Sequence, residues 1–244
     1  MIFMEKHILM IAKKHAGKSS ASAGVSRLSN GAIEHVITRV PNIIIPLILK
    51  YGDTITESVS SVEIPLEYKH GGYTFPEDRV EHIMNVVSSG INICNDDLLR
   101  IDELQIFSPE DYQKIAEELK QRYGPEIMWM AASAYADEHY TGKPCILDGV
   151  RYHGALESAR IEGHFLVYLH VDESELIMRI VSNNLPIDTV EGAEGLLAEE
   201  ERLYETEKCI NLAHLQVEGM DENRRKTVDE IASEILEGYS HFIE

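Results

Sequence analysis

Near the N-terminus the sequence reads His7-Ile8-Leu9-Met10-Ile11-Ala12-Lys13-Lys14-His15-Ala16-Gly17-Lys18-Ser19-Ser20. A short apolar run, predicted to be a strand, leads into a small basic turn, and residues 20–23 can continue as a helix. Strand, turn and helix in this order are typical of a phosphate-binding loop, whose usual pattern is G-x-x-x-x-G-K-[ST]. Gly17, Lys18 and Ser19 match that pattern, whereas Ala12 replaces its first glycine.

The residue types in this turn suit an anion for separate physical reasons. Gly17 lets the backbone curl so that amide N–H groups face an anion, and the following helix adds the positive end of its dipole. Lys18 is predicted to reach the β- and γ-phosphates of a nucleotide, and Ser19 to hold Mg²⁺ through its hydroxyl. The predicted nucleotide-binding residues are Lys13, Lys14, His15, Ala16, Gly17, Lys18, Ser19 and Ser20. An accidental Gly-Lys-Ser at a strand-to-helix turn is the alternative.

Length, charge and cysteine content limit the class of protein. A chain of 244 residues with 44% hydrophobic content can bury a sizeable core, either as one large domain over 1–244 or as a domain with an insertion. Its formal net charge of −20 argues against a nucleic-acid or acidic-membrane binder, so the basic turn suits a small phosphorylated ligand. Cys94, Cys145 and Cys209 are far apart, which favours a reducing compartment over a disulfide framework or zinc site. No apolar run approaches the ~18 residues of a membrane span and no signal-peptide pattern is present, so we expect a cytoplasmic, soluble protein.

The region from 30 to 89 is the hardest to interpret. Prolines interrupt its apolar run at 41–50, and Pro65 lies within an alternating segment that suits an edge strand. We interpret 30–89 as an inserted subdomain that covers a binding cleft. A loosely ordered surface loop is the alternative for part of it.

Two later strand ends carry candidate site residues. Residues 92–100 are predicted to form a strand and polar turn that ends in Asp97-Leu98-Leu99-Arg100. Residues 145–151 read Cys-Ile-Leu-Asp-Gly-Val-Arg, a buried strand whose last residue, Asp148, lies where an open parallel sheet places ligand-facing groups. Asp148 is expected to orient Mg²⁺ or to accept a proton, and Arg151 to hold an oxyanion. The alternative is that Asp148-Gly149 is a plain turn and Arg151 a surface residue.

The rest of the chain alternates between strand and helix patterns. The continuous apolar run at 165–171 is typical of a strand inside a parallel sheet. Another strand is predicted at 214–218, and Asp221 is predicted to cap the last helix. Helices are also predicted at 108–123, 126–140, 174–183 and 191–212, the last of them acidic and mostly a solvated face. Together these patterns predict an α/β fold with a parallel sheet flanked by helices.

The loop, the turn at 97–100 and the Leu-Asp-Gly-Val-Arg segment at 147–151 resemble the P-loop nucleoside monophosphate kinases. Adenylate kinases have a G-D-L-L-R turn and an L-D-G-x-x-R turn at the corresponding places. The chain is more similar still to an archaeal adenylate-kinase-like and dephospho-coenzyme-A-kinase-like group, through its segments at 155–160, 165–171 and 212–214. The similarity covers most of 5–29 and 91–240 but not 30–89. It implies a three-layer P-loop NTPase fold.

The resemblance also implies roles for individual residues. Lys18 and Ser19 would bind the phosphates and magnesium of ATP, with Asp148 beside the metal and the attacking oxygen. The implied acceptor-binding residues are Asp97, Arg100 and Arg151, and the implied catalytic set is Lys18, Asp148 and Arg151. A lid-like segment is expected at 183–205, with Arg179 leading into it and Arg202 inside it.

Several departures from the family keep two functions open. Ala12 replaces a glycine, Asn95-Asp96 replace small residues, and the lid-like segment is acidic with Arg202 as its arginine. The first hypothesis is a Mg²⁺- and ATP-dependent phosphotransferase acting on a small phosphorylated acceptor, such as a nucleoside monophosphate or a dephospho-coenzyme-A-like molecule. The second is a nucleotide-binding regulatory or scaffold protein without phosphoryl transfer, and a metal-dependent NTPase lies between them. In each case the expected partner is a small nucleotide, with no nucleic acid or membrane, and acidic helices leave room for a homodimer.

Overall fold

The computed structural model describes residues 6–37, 120, 124–140, 142–182, 187, 189–221 and 224–244. The chain divides into two compact units, one of Met1–Ile37 with Tyr140–Glu244 and one of Thr38–His139. The predictions for Asp97, Arg100, the strand at 92–100 and, apart from residue 120, the helix at 108–123 lie outside the described residues.

The first unit is built on a parallel sheet. Its strands are β1 (Ile8–Ile11), β2 (Glu34–Ile37), β3 (Cys145–Asp148), β4 (Phe165–His170) and β5 (Leu215–Glu218). They are arranged in the order β2-β3-β1-β4-β5, and every pairing is parallel. Met10 of β1 is in register with Asp148 of β3 and Val167 of β4, so the carboxyl ends of the three central strands meet at one edge.

Helices cover both faces of this sheet. The described helices are α1 (Lys18–Leu28), α2 (Ile127–His139), α3 (His153–Ile161), α4 (Glu173–Ser182), α5 (Val190–Tyr204), α6 (Thr206–Ile210) and α7 (Val228–Ile243), of which α2 belongs to the second unit. Ile8, Met10 and Val167 share one buried cluster with side chains of α1, α4, α5 and α7. Since side chains alternate along a strand, the intervening buried residues face the other side, where α3 contacts β4 and α6 contacts β1. This arrangement confirms the predicted three-layer α/β fold with a parallel sheet flanked by helices.

A glycine allows two helices of the larger core to approach each other closely. A Cβ added to Gly24 of α1 would lie 2.8 Å from a Val228 methyl carbon and 3.1 Å from the Ala232 Cβ, both in α7. The contact therefore needs a residue without a side chain.

The second unit is represented by α2, in which Met128, Trp129 and Ala132 are buried, as their helical spacing predicts.

Three details differ from the sequence-based expectations. Residues 34–37, within the region interpreted as an insertion, form β2 of the main sheet. This segment has little apolar periodicity of its own, and its backbone hydrogen bonds are made by pairing with β3. The predicted helix at 191–212 is interrupted at Glu205, whose left-handed φ of 49° separates α5 from α6.

The prediction that Asp221 caps the last helix is wrong. The Asp221 amide donates to the Arg224 carbonyl, so this residue belongs to a turn. The N-cap is Thr227, whose hydroxyl accepts from the Glu230 amide while the Glu230 carboxylate accepts from the Thr227 amide. This capping box stabilises the start of α7.

Among the described helices, none combines the length and the apolar character that crossing a membrane requires.

Candidate functional site

The turn between β1 and α1 is curled by two left-handed residues. His15 has φ 64° and Gly17 has φ 96°, and Gly17 is the N-cap of α1. The Ala16 amide donates to the Lys13 carbonyl at 3.2 Å, which closes the turn. The loop 12–17 therefore leads directly into a helix N-terminus, where amide groups and the helix dipole favour an anion.

The replacement of the first loop glycine is structurally accommodated. Ala12 is buried and belongs to the core cluster. Among the described residues other than glycine, a positive φ occurs at His15, Asn30 and Glu205, so the backbone at Ala12 is in an ordinary region. A methyl group at this position is therefore compatible with the loop.

A buried ion pair joins the loop to the sheet. Lys18, the first residue of α1, donates through Nζ to Oδ1 of Asp148 at the end of β3, and both side chains are almost fully buried. Burial by itself raises the pKa of Asp148, but the neighbouring His35 ring and the Lys18 ammonium group outweigh burial and hold that pKa well below its usual range. Asp148 is therefore ionised at neutral pH.

The other oxygen of the Asp148 carboxylate faces two further polar side chains, those of His35 and Ser19. Oδ2 is buried and has no hydrogen-bond partner within the described part of the chain, and His35 Nε2 lies 3.7 Å from it. The Ser19 hydroxyl is close enough to the Asp148 carboxylate to lower its pKa as well. A carboxylate and a hydroxyl oxygen thus lie together at the start of α1, and these are the ligand types that Mg²⁺ prefers.

Arg151 lies at the same edge but already has a partner. Its Nη1 donates to Glu200 Oε1 at 2.8 Å, and its guanidinium carbon lies 5.4 Å from the centre of the Tyr204 ring. The second oxygen of Glu200, Oε2, accepts from the backbone N–H of Lys14 at 2.7 Å. Glu200 is 5% exposed, so a carboxylate from α5 is buried against the loop.

Sequence reasoning missed Glu200, because it treated the acidic helix mostly as a solvated face. A signal was present: Ala193, Leu197 and Glu200 follow each other at spacings of four and three residues, and all three are buried. A carboxylate on the apolar stripe of an amphipathic helix requires a polar partner in the core, and here it has two.

Arg179 holds the backbone of the loop. Its Nη1 donates to the carbonyl oxygens of His15 at 3.2 Å and Ala16 at 3.0 Å, while its Nε donates to Glu175 Oε1 at 2.8 Å. Arg225 also pairs with Glu175. Arg179 thus contacts the loop through carbonyl groups and fixes the turn that orients the amides.

Two further cationic side chains, those of Lys13 and Arg202, have carboxylate neighbours of their own. Lys13 pairs with Glu207 at 3.3 Å and with Glu173 at 3.7 Å. Arg202 is exposed and lies 3.9 Å from Glu199, on a solvated face of α5. The structure therefore does not bring Arg202 to the loop.

The other predicted nucleotide-binding residues surround the loop. Lys14 presents its backbone N–H to Glu200 while its side chain is exposed, and Ser19 and Ser20 are exposed on the first turn of α1. The His15 pKa is lowered by burial and by the positive charges of Lys14 and Arg151, so its ring is neutral at neutral pH.

No family model and no curated protein match the sequence. Among solved structures, the chain is similar to the shikimate kinase of Acinetobacter baumannii in complex with shikimate, with 12% identity, 97% of this chain and 94% of that chain covered, and a TM-score of 0.45. It is also similar to a gluconokinase from Sinorhizobium meliloti 1021, with 12% identity, 98% and 93% coverage and a TM-score of 0.39. A dephospho-CoA kinase from Campylobacter jejuni gives 11% identity, 98% coverage of each chain and a TM-score of 0.41. Because these TM-scores lie below 0.5, the functional assignment rests on the geometry of the site.

Proposed function

We propose that this protein is an ATP-dependent phosphotransferase that moves the terminal phosphoryl group of ATP to a small acceptor. The observation that carries the proposal is the meeting of Lys18 and Ser19, at the start of α1, with Asp148 at the end of β3, behind a loop curled by two left-handed residues. A cation, a hydroxyl, a carboxylate and a row of amides at one point are the groups that a polyphosphate and its metal require.

Lys18 is the residue assigned to the phosphates. Its side chain is long and flexible, and its present partner, Asp148, is another side chain. The ammonium group can therefore exchange Asp148 for the β- and γ-phosphate oxygens without a change in the backbone. Arg179 binds the carbonyl groups of His15 and Ala16, which holds the turn that precedes the first amides of α1.

Ser19 and Asp148 are the residues that fit Mg²⁺. The unpartnered Oδ2 of Asp148 and the Ser19 hydroxyl are both hard oxygen donors. When bound, Mg²⁺ would neutralise negative charge on the phosphates. The lowered pKa of Asp148 favours this role over that of a general base, since an efficient base has a pKa near the working pH.

Arg151 is the described residue assigned to the acceptor. It follows Asp148 by three positions, and its side chain is 31% exposed while it pairs with Glu200. A guanidinium group binds a phosphate oxygen pair in a planar, bidentate way. A phosphorylated acceptor, such as a nucleoside monophosphate or a dephospho-coenzyme-A-like molecule, is therefore proposed.

A second candidate function is nucleotide binding without transfer, as in a regulatory or scaffold protein. The observation that favours it is the charge balance at the loop, where four of the described cationic side chains are paired with carboxylates. The pairs are Lys18 with Asp148, Arg151 with Glu200, Arg179 with Glu175, and Lys13 with Glu173 and Glu207. Transfer requires free positive charge around the developing transition state, and pairing reduces it.

Measurement of ADP release separates the two candidates. The protein is incubated with Mg²⁺ and ATP, alone and with a panel of nucleoside monophosphates and dephospho-coenzyme A. The phosphotransferase predicts acceptor-dependent ADP release that Lys18→Ala abolishes. Binding of ATP without acceptor-dependent release would support the regulatory candidate, and absence of Lys18-dependent ATP binding would contradict both.

A further inference from the structure

Glu200 makes the same contacts that a bound phosphate would make. Its two carboxylate oxygens accept from the Lys14 backbone N–H at 2.7 Å and from Arg151 Nη1 at 2.8 Å. The Lys14 N–H belongs to the loop, and Arg151 is the residue assigned to the acceptor. The carboxylate is nearly fully buried and close enough to contribute to the electrostatic environment of Lys18.

The position of Glu200 is not explained by packing alone. A buried carboxylate loses its hydration, and this loss is offset when both oxygens accept hydrogen bonds from charged or strongly polar donors. Among the residues of α5 whose burial the structure describes, the other buried positions are Ala193 and Leu197, and both are apolar. A leucine at position 200 would complete the stripe, whereas the glutamate instead completes the hydrogen bonds of the loop.

We propose that Glu200 is an internal ligand of the loop, a carboxylate that holds the anion position until a nucleotide phosphate displaces it. The inference rests on the proposed nucleotide site and adds a determinant of its affinity. The incoming nucleotide phosphate takes over the Lys14 amide, Arg151 is released toward the phosphate of the acceptor, and Glu200 leaves with α5.

This exchange makes nucleotide binding depend on a helix outside the loop. While Glu200 accepts from the Lys14 amide and Arg151, a phosphate cannot bind to these donors. Only the fraction of molecules in which Glu200 has left can bind the ligand, and the apparent affinity for a phosphate ligand is the intrinsic affinity multiplied by that fraction. Displacement of Glu200 also releases α5 from the loop. Binding is thereby coupled to the segment that the sequence assigns to the lid.

The first test compares the affinity of Glu200→Gln with that of the wild-type protein. The carboxamide keeps the size of the side chain and an oxygen for the Lys14 amide, but it removes the negative charge. Arg151 remains partly exposed, so its charge stays solvated in the variant. We expect Mg·ATP and free tripolyphosphate to bind roughly tenfold more tightly, by isothermal titration calorimetry, because the competing charge is gone.

Glu199→Gln is the matched control. Glu199 is the preceding residue of α5, is exposed, and lies 3.9 Å from Arg202. It loses the same charge at the same point of the helix without touching the loop, so its affinity is expected to equal that of the wild type. An affinity of Glu200→Gln that is unchanged or weaker than that of both other proteins would overturn the inference.

The second test needs no variant and uses hydrogen exchange of the wild-type protein. With saturating Mg·ATP, amides of the loop and the first turn of α1 are expected to gain protection, while those of residues 197–204 lose it. Increased protection of 197–204 would mean that α5 closes over the nucleotide with Glu200 in place, and the inference would be wrong.

These outcomes separate the inference from the function on which it rests. If the wild type binds Mg·ATP in a Lys18-dependent way and Glu200→Gln binds no more tightly, the proposed nucleotide site stands and the inference about Glu200 fails. If none of these proteins binds Mg·ATP or tripolyphosphate, the nucleotide site itself is refuted, and the role of Glu200 with it.

Discussion

The two edges of the sheet bury polar groups in different ways. At the carboxyl edge, Lys18 and Asp148 form an ion pair between two side chains. At the amino edge, His7 and His164 stack with their ring centres 5.3 Å apart and their planes within 5°. The His7 amide donates to His164 Nδ1 at 3.0 Å, and the Cys145 amide donates to His7 Nδ1 at 3.1 Å.

The two edges of the sheet differ in the hydrogen-bond partners of their buried polar groups. The histidine rings accept from backbone amides of neighbouring strands, and these donors cannot leave without disrupting the sheet. The partners of Lys18 and Arg151 are carboxylates on side chains, which can rotate away and be replaced. A buried polar group with backbone partners is therefore structural, whereas one with exchangeable partners can serve a ligand. Three measurements test this contrast.

The largest expected effect is at the carboxyl edge. Lys18→Met leaves the Asp148 carboxylate buried without its cation, and we expect the free energy of unfolding to fall by about 3 kcal/mol. Adding Asp148→Asn should restore most of that loss, because no unpaired charge remains, while nucleotide binding stays absent. Urea unfolding monitored by circular dichroism measures the change.

Arg27→Met is the control for this experiment. Arg27 pairs with Asp229, and both side chains are more than half exposed. Solvent screens such a pair, so its loss is expected to alter the free energy of unfolding by at most about 0.5 kcal/mol. Equal effects of Lys18→Met and Arg27→Met would show that the buried pair has no special electrostatic importance.

A smaller effect is expected at the amino edge when the pH falls. Burial, together with the electrostatic influence of the neighbouring His7 and Lys6 side chains, lowers the pKa of His164 to about 3. Between the unfolded pKa of about 6.5 and this value, the unfolded chain binds a proton at this position that the folded chain does not. Stability is therefore lost as the pH falls through this window, by about 2 kcal/mol between pH 7 and pH 5.

His164→Asn tests the assignment to this residue. The asparagine oxygen can still accept from the His7 amide, but it does not titrate. Urea unfolding at pH 7 and pH 5 is expected to show a shallower pH dependence in this variant. His170→Asn, at the partly exposed end of β4, should retain the wild-type dependence. A slope that His164→Asn leaves unchanged would assign the acid sensitivity to other groups.

The smallest effect concerns the loop backbone. Gly17→Ala places a side chain at φ 96°, although the added Cβ would lie an ordinary 3.8 Å from Arg179 Nη1. Backbone strain is then the dominant cost, and we expect thermal unfolding to show a loss of about 1 kcal/mol. The same substitution at Gly195, inside α5 and with no atom near an added Cβ, should stabilise by roughly 0.8 kcal/mol. Destabilisation by both would contradict the local explanation.

Local patterns in the sequence predicted much of the framework. The apolar runs of β1, β3 and β4 are strands at the predicted places, and Gly17 supplies the left-handed turn that its position in the motif requires. Such features depend on neighbouring residues, which is why they can be identified without coordinates. β2 was missed because an edge strand gains its stability from β3 rather than from its own periodicity.

The structure brings together some of the candidate site residues that the sequence indicates and separates others. Lys18, Ser19 and Asp148 come together as the motif indicates, whereas Arg179 supports the loop carbonyls and Arg202 stays on the surface. Spacing along the chain identifies the helix on which an arginine lies. It does not determine which acceptor the guanidinium group reaches after the helices pack.

The sequence by itself determined a parallel α/β framework and a curled, basic turn at the start of its first helix, because both arise from short-range preferences of the backbone and from apolar periodicity. The tertiary structure alone decided the partners of the buried charges. Glu200 and the Lys14 amide are separated by 186 positions, and His7 and His164 by 157. Hydrogen bonds over such separations form only after the strands have aligned, and they decide which polar groups are fixed and which remain exchangeable.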